Sequence, residues 1–101
     1  MAKNMPENSE NMLPDYLEEA DGFVTIKLLR EIEVDGAKTK VVQMREPTVA
    51  DQLRIEKMKG SDAEKEVNMI ADLCQLAPDD IKKIGLRDYK RISSGLGIFL
   101  E

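Results

Sequence analysis

The chain has 101 residues, of which 42% are hydrophobic and 35% charged, and its formal net charge is −5. This length suits one small domain. The absence of histidine excludes His-based catalytic triads and the common zinc sites, and a single cysteine, Cys74, excludes an internal disulfide. No apolar run approaches the roughly 18 residues of a membrane span, so we expect a cytoplasmic protein.

The excess acidic charge lies in residues 1–21, which hold one lysine and six acidic residues. This segment is polar and contains Pro6 and Pro14, so we predict a disordered acidic tail over residues 1–21 and a single domain over residues 22–101. The basic and acidic residues of the remaining chain balance. It therefore lacks the basic footprint of a nucleic-acid-binding protein, and we expect neither a nucleic-acid nor a membrane partner.

Two strands are predicted first. Residues 23–34 place apolar side chains at every second position, which predicts the first strand. Asp35-Gly36 is a strong turn signal, and residues 38–45 form the returning second strand. A two-residue loop would pair even-numbered residues with odd-numbered ones and divide the apolar side chains between two faces. A three-residue loop with Gly36 left-handed pairs even with even, and we favour it. It puts apolar side chains from both strands on one face: Ile26, Leu28, Val42 and Met44.

The stretch MREPTVAD, residues 44–51, is predicted to join the second strand to the first helix. Pro47 has no N–H and ends strand pairing, and Thr48 with Asp51 approximates a capping box. We expect Arg45 to pair with Asp51 or Asp88 and to fix the hairpin to the helices. The structural joint is therefore Arg45, Pro47, Thr48, Asp51 and Asp88.

Helical periodicity follows to the end of the chain. The first helix runs to about Met58 with Val49, Leu53 and, as a further candidate, Ile55 inward, and Gly60 stops it. Ser61 and Glu64 signal the start of a second helix, and Pro78 opens a short third one. The last helix covers residues 86–100. The predicted fold class is α+β, with an N-terminal β-hairpin followed by three to four α-helices.

No catalytic or cofactor site is predicted. Adjacent carboxylates such as Asp79 and Asp80 suit a helix start, and Cys74 lies on an apolar helical stripe. Gly95-Leu-Gly97 follows a helix and lacks the phosphate-loop signature, so we expect these glycines to let another helix approach. We therefore predict a binding protein rather than an enzyme, without cofactor or metal.

Two late features are candidates for partner contact. Lys82, Lys83, Arg87, Lys90 and Arg91 form a modest basic cluster, either a solvated face or a docking site for an acidic segment. The apolar C-terminal end either tucks into the core or contacts a partner, and the sequence leaves both open. The candidate partner-binding residues are Tyr89, Ile92, Leu96, Ile98, Phe99 and Leu100.

The order of these motifs, over residues 23–100, resembles the tail assembly chaperones of contractile-tailed, Mu-like bacteriophages and prophages. A strand pair joined by Asp-Gly precedes a strand-to-helix joint, a central helix with a short successor, and a last helix. The acidic tail is not part of this pattern. The residues that carry the resemblance are Met44-Arg-Glu-Pro-Thr-Val-Ala-Asp-Gln-Leu53, Ile70-Ala-Asp-Leu-Cys-Gln-Leu76-Ala-Pro-Asp-Asp-Ile-Lys-Lys-Ile84, Leu86-Arg-Asp-Tyr89 and Gly97-Ile-Phe-Leu100.

The resemblance implies a non-catalytic protein that binds the phage tape-measure protein and keeps it soluble and extended while the tail tube polymerises. It also implies absence from the mature virion. A frameshifted longer form of the chain and a homo-oligomer are further partners that we consider. The competing hypothesis is a small regulatory protein, an antitoxin or anti-activator, that acts through an acidic tail resembling nucleic acid.

Overall fold

The structure, a computed structural model, describes residues 13–100. A three-stranded antiparallel sheet is followed by four helices, which confirms the α+β class. The order along the sheet is β1-β2-β3, with β2 in the middle. None of the helices within residues 13–100 has the length and apolar content that a membrane crossing needs. The elements are β1 (Leu17–Ala20), β2 (Phe23–Val34), β3 (Ala37–Arg45), α1 (Val49–Glu56), α2 (Asp62–Cys74), α3 (Pro78–Lys82) and α4 (Leu86–Phe99).

Strand β1 corrects the prediction of a simple hairpin, because it lies in the segment predicted to be a disordered tail. It pairs with β2 from Leu17 opposite Ile26 to Ala20 opposite Phe23, through a tight turn at Asp21-Gly22. Only Leu17 is buried in this strand, so its acidic, exposed residues gave no alternating signal. The predicted disorder of residues 1–12 lies outside the described residues.

The turn between β2 and β3 has two residues, so the predicted three-residue loop is wrong. Asp35 and Gly36 both have positive φ, and Val34 pairs with Ala37. Ile26 nevertheless pairs with Val42, even with even, because a bulge between Lys27 and Ile32 shifts the register. The predicted shared apolar face is therefore confirmed, although the bulge and not the turn produces it.

The core lies between the inner face of the sheet and helices α2 and α4. Gly95 of α4 faces the sheet, where an added Cβ would lie 3.1 Å from Ile26 Cγ1 and 3.4 Å from Val24 Cγ1. The prediction that these glycines admit another helix is therefore wrong: Gly95 admits a strand, and Gly97 faces open space. The side chains that are fully buried and largest in volume are Ile26, Met44, Ile70, Leu73, Ile92 and Val24.

Both predicted capping boxes are present, at Thr48–Asp51 and at Ser61–Glu64. The inward face predicted for the first helix is confirmed only at Ile55. Val49 is 74% exposed and Leu53 54% exposed, and the buried residues of α1 are Asp51 and Ile55. A helix of only eight residues that touches the rest of the protein along one narrow side has little room for a wide apolar stripe.

Candidate partner-binding site

The joint between β3 and α1 is organised around the buried carboxylate of Asp51. Arg45 donates two hydrogen bonds to it, at 2.8 and 3.0 Å, and the Thr48 N–H donates a third at 2.8 Å. These donors, led by the Arg45 guanidinium, hold the pKa of the Asp51 carboxyl well below its usual range. Pro47 lies in this link, separated from the end of β3 by Glu46. The ion pair predicted between Arg45 and Asp51 is thus present.

The same carboxylate connects two helices. Arg54, one turn along α1, donates to Asp51 Oδ1 at 3.2 Å and also pairs with Asp72 of α2. Arg45, Asp51, Arg54 and Asp72 therefore form a chain of alternating charges that ties the end of the sheet to both helices. Because Arg54 and Asp72 are both about half exposed, water screens the outer half of this chain.

Asp88, the alternative partner considered for Arg45, has a different role. Its Oδ1 accepts the N–H of Leu29 at 2.7 Å and its Oδ2 the N–H of Arg30 at 3.1 Å. Both donors belong to the β2 bulge, where strand pairing is interrupted. One turn along α4, Arg91 donates to the Lys27 carbonyl at 2.9 Å. Helix α4 therefore holds the bulge at Leu29 and Arg30 and also holds Lys27, the last paired residue before it.

Most of the predicted C-terminal contact residues are not freely accessible. Ile92 and Leu96 belong to the buried core, and Ile98 and Phe99 pack against it. Leu100 alone is freely exposed, at 66%. Partner contact through this end of the chain stays a prediction, and the structure leaves Leu100 as its principal accessible side chain.

Tyr89, the remaining predicted contact residue, is half-buried. Its hydroxyl donates to Glu66 Oε1 at 2.6 Å and joins α4 to α2. Partial burial, together with this hydrogen bond, raises the pKa of Tyr89 to about 12. The phenol therefore stays neutral at physiological pH and acts as a donor between the two helices.

A groove that the sequence did not predict lies between the distal half of β2 and the corner where α3 leads into α4. It consists of two adjoining cavities of about 440 and 580 Å³ that share four lining residues. Both walls contribute apolar side chains: Leu29 and Ile32 from β2, Ile84 and Leu86 from the corner. Leu86 is 71% exposed and Leu29 46% exposed, so both walls of the groove present an apolar side chain that solvent reaches.

The charges along this groove, which we call the arm groove, are unevenly distributed. The end near the turn of the hairpin is lined by Glu31, Glu33, Asp35 and Asp80, with Lys83 as its one cation. Toward the start of α4 the cationic lining residues are Arg30, Lys83 and Arg87, and the acidic ones are Glu31 and the buried Asp88. In the part of the chain that the structure describes, none of these side chains forms an ion pair.

Part of this surface was visible in the sequence as the basic cluster. The structure divides that cluster: Lys83 and Arg87 line the arm groove, Lys82 lies 3.9 Å from Asp79, and Arg91 stacks over the Tyr16 ring. The acidic end gave a weaker signal, the acidic residues that alternate with Ile32 and Val34 along β2. Neither pattern alone reveals that the two segments face each other.

The chemistry of the described residues suits binding. Burial raises the pKa of the Cys74 thiol to about 12, so this sulfur is not a reactive thiolate at neutral pH. Within residues 13–100, no three carboxylate or thiol side chains converge in a way that could hold a metal ion. The arm groove brings apolar and charged side chains together, and the lining of its hairpin end is mostly charged.

Comparison with known proteins gives one match. The sequence model of the family described as "Phage tail assembly chaperone proteins, E, or 41 or 14" matches residues 25–101. This range holds all but the first two residues of β2 and everything that follows, including both walls of the arm groove, whereas β1 precedes it. No curated protein and no solved structure matches the chain.

Proposed function

The chain belongs to the phage tail assembly chaperone family, and we propose that it binds the tape-measure protein and keeps it soluble and extended while the tail tube polymerises. The family match over residues 25–101 is the observation that carries the proposal, because it covers about three quarters of the sequence. A role in phage tail assembly follows from membership of this family. The tape-measure protein as partner is the proposed step.

The described surface supports this role. A holding protein needs apolar contact area for exposed helices of its client, yet it must not aggregate itself. The arm groove supplies apolar contact beside charged side chains that form no ion pair within residues 13–100, and these charges keep the free groove hydrated. The net charge of −5 adds repulsion between copies, and between complexes that carry several copies.

We also propose the finer features that the resemblance implies. The protein acts in the cytoplasm of the bacterial host, serves a contractile, Mu-like tail, and leaves before the virion is complete. A longer form made by frameshifting near the 3′ end of the gene would be a second partner. Sequencing that end tests this feature, since codons without a slippery run would contradict it.

Co-expression tests the proposed client directly. The tape-measure protein of the same phage is produced with and without the chain, and its soluble fraction is measured after ultracentrifugation. We expect the chain to keep the client in the supernatant and to copurify with it. The matched control is Ile26→Asp, which places a charge in the buried core and removes the fold while leaving the composition nearly unchanged.

The outcomes separate the two hypotheses. An equally insoluble client with and without the chain would contradict the proposal. Capture of one small globular protein from the same cells, with no tape-measure protein, would instead favour an antitoxin or anti-activator.

A further inference from the structure

We propose that the arm groove binds one amphipathic helix of the partner protein, with the N-terminal end of that helix at the acidic, hairpin end of the groove. The inference rests on the proposed function for the identity of the partner protein. It adds the face of the chain that makes contact, the conformation of the bound segment and its direction.

The apolar side chains of the groove favour a helix. Leu29 comes from the strand wall, Ile84 and Leu86 from the helical corner, and they line one continuous groove. An amphipathic helix presents a single apolar stripe that can contact two such walls at once. The polar face of the same helix would then point to solvent, beside the charged rims.

An added β-strand is disfavoured at the α4 end of this groove. Strand β1 covers β2 only from Phe23 to Ile26, so the edge of β2 beyond that region is not paired by β1. The N–H groups of Leu29 and Arg30, however, already donate to the Asp88 carboxylate. A strand arriving along this edge would find those donors occupied, and strand addition depends on main-chain hydrogen bonds.

The charges of the groove set the direction of the helix. A helix carries partial positive charge at its N-terminus and partial negative charge at its C-terminus. The N-terminal end of the bound helix complements Glu31, Glu33 and Asp35. Its C-terminal end complements Arg30 and Arg87. We therefore expect basic residues in the first turns of the bound segment and acidic residues in its last turns.

Peptide binding tests the contact face. Overlapping synthetic peptides that together cover the tape-measure protein are titrated with the full-length chain, and binding is followed by fluorescence anisotropy. For the peptide that binds the wild type, Leu86→Ser should weaken affinity roughly tenfold. Leu53→Ser is the matched control, because Leu53 is also an exposed leucine but lies on α1, outside the groove.

Leu100→Ser measures the competing contribution of the C-terminal end, and Leu100 is exposed to nearly the same extent as Leu86. Equal weakening by Leu86→Ser and Leu53→Ser, or loss of binding with Leu100→Ser alone, would overturn the groove as the contact face. In both cases the wild type still binds tape-measure peptides, so the proposed function would stand. If the wild type binds neither the peptides nor the whole tape-measure protein, both proposals fail.

Charge reversal tests the direction. Glu33→Lys should weaken binding about three- to tenfold at low salt, and the difference should shrink as salt is added. A peptide whose N-terminal basic residues are replaced by Glu should restore affinity for Glu33→Lys but not for Arg87→Glu. Tighter binding of the unmodified peptide to Glu33→Lys would reverse the direction, because the acidic last turns of the peptide would then lie beside the new lysine. Failure of the altered peptide to rescue Glu33→Lys would overturn the proposed direction. Circular dichroism of the bound peptide must also show a gain in helix; its absence would exclude a helical segment.

Discussion

Two buried aspartates hold the hairpin to the helices in different ways. Asp51, 4% exposed, meets two arginines and caps its own helix, whereas Asp88, 3% exposed, accepts two backbone N–H groups and forms no ion pair within the described residues. The partners of Asp51 reach solvent and can be rehydrated. The bulge N–H groups that Asp88 satisfies belong to the strand that forms one wall of the arm groove. Water can therefore replace the backbone contacts of Asp88 less easily than it can replace the ion pairs of Asp51.

The largest effect should come from Asp88→Ala. Two backbone donors would lose their acceptor in a part-buried site, and each unsatisfied group costs about 1–3 kcal/mol. We expect the free energy of unfolding to fall by about 3 kcal/mol, measured by urea denaturation. Amide hydrogen exchange at Leu29 and Arg30 should accelerate more than exchange at Val24, which lies in the paired part of β2.

Asp88→Asn is the control, because it keeps the shape and one accepting oxygen. It should destabilise less than Asp88→Ala and should leave one of the two bulge N–H groups protected from exchange. Equal loss of stability in both variants, with unchanged exchange at the bulge, would show that Asp88 does not hold the β2 bulge.

Asp51→Ala should have the second largest effect. A capping contact alone is worth about 1 kcal/mol, but this change also leaves Arg45 without its bidentate partner, so we expect a loss of about 2 kcal/mol. Thr48→Ala removes the cap while keeping the ion pair, and it should cost about half as much. Equal losses in the two variants would mean that the ion pair adds nothing. In samples that remain folded, tape-measure binding should be retained, because Asp51 lies outside the arm groove.

The sequence reveals the contacts of Asp51, but it hides those of Asp88, although both residues were predicted at the joint. Thr48 and Asp51 are three residues apart, so one helical turn brings them together whatever the rest of the fold does. Asp88 and Leu29 are 59 residues apart, and their contact exists only because the strand bulges there. Periodicity in the sequence cannot show a bulge. The bulge also restored the even-with-even pairing, so a wrong turn length still led to the right shared apolar face.

The arm groove was hidden for the same reason. Its walls are separated by about 50 residues of chain, and each wall alone resembles an ordinary charged surface. Strand β1 was missed because a single buried leucine among acidic residues carries no alternation. Local signals therefore predicted the helices and their caps, while the surfaces that depend on packing between distant segments had to come from the structure.

Lowering the pH should produce the smallest of these effects on stability, and it tests Asp51 separately from Asp88. Because the folded pKa of Asp51 lies well below its unfolded value of about 3.9, its ion pair stabilises the protein fully above that value and progressively less as the pH falls. By pH 3 this contribution should have fallen by roughly 1 kcal/mol. Urea denaturation of wild type and Asp51→Asn between pH 7 and 3 measures it, and the gap in stability should narrow toward pH 3. A constant gap would mean that Asp51 ionises alike in the folded and unfolded chain, and the contrast with Asp88 would then rest on the backbone contacts alone.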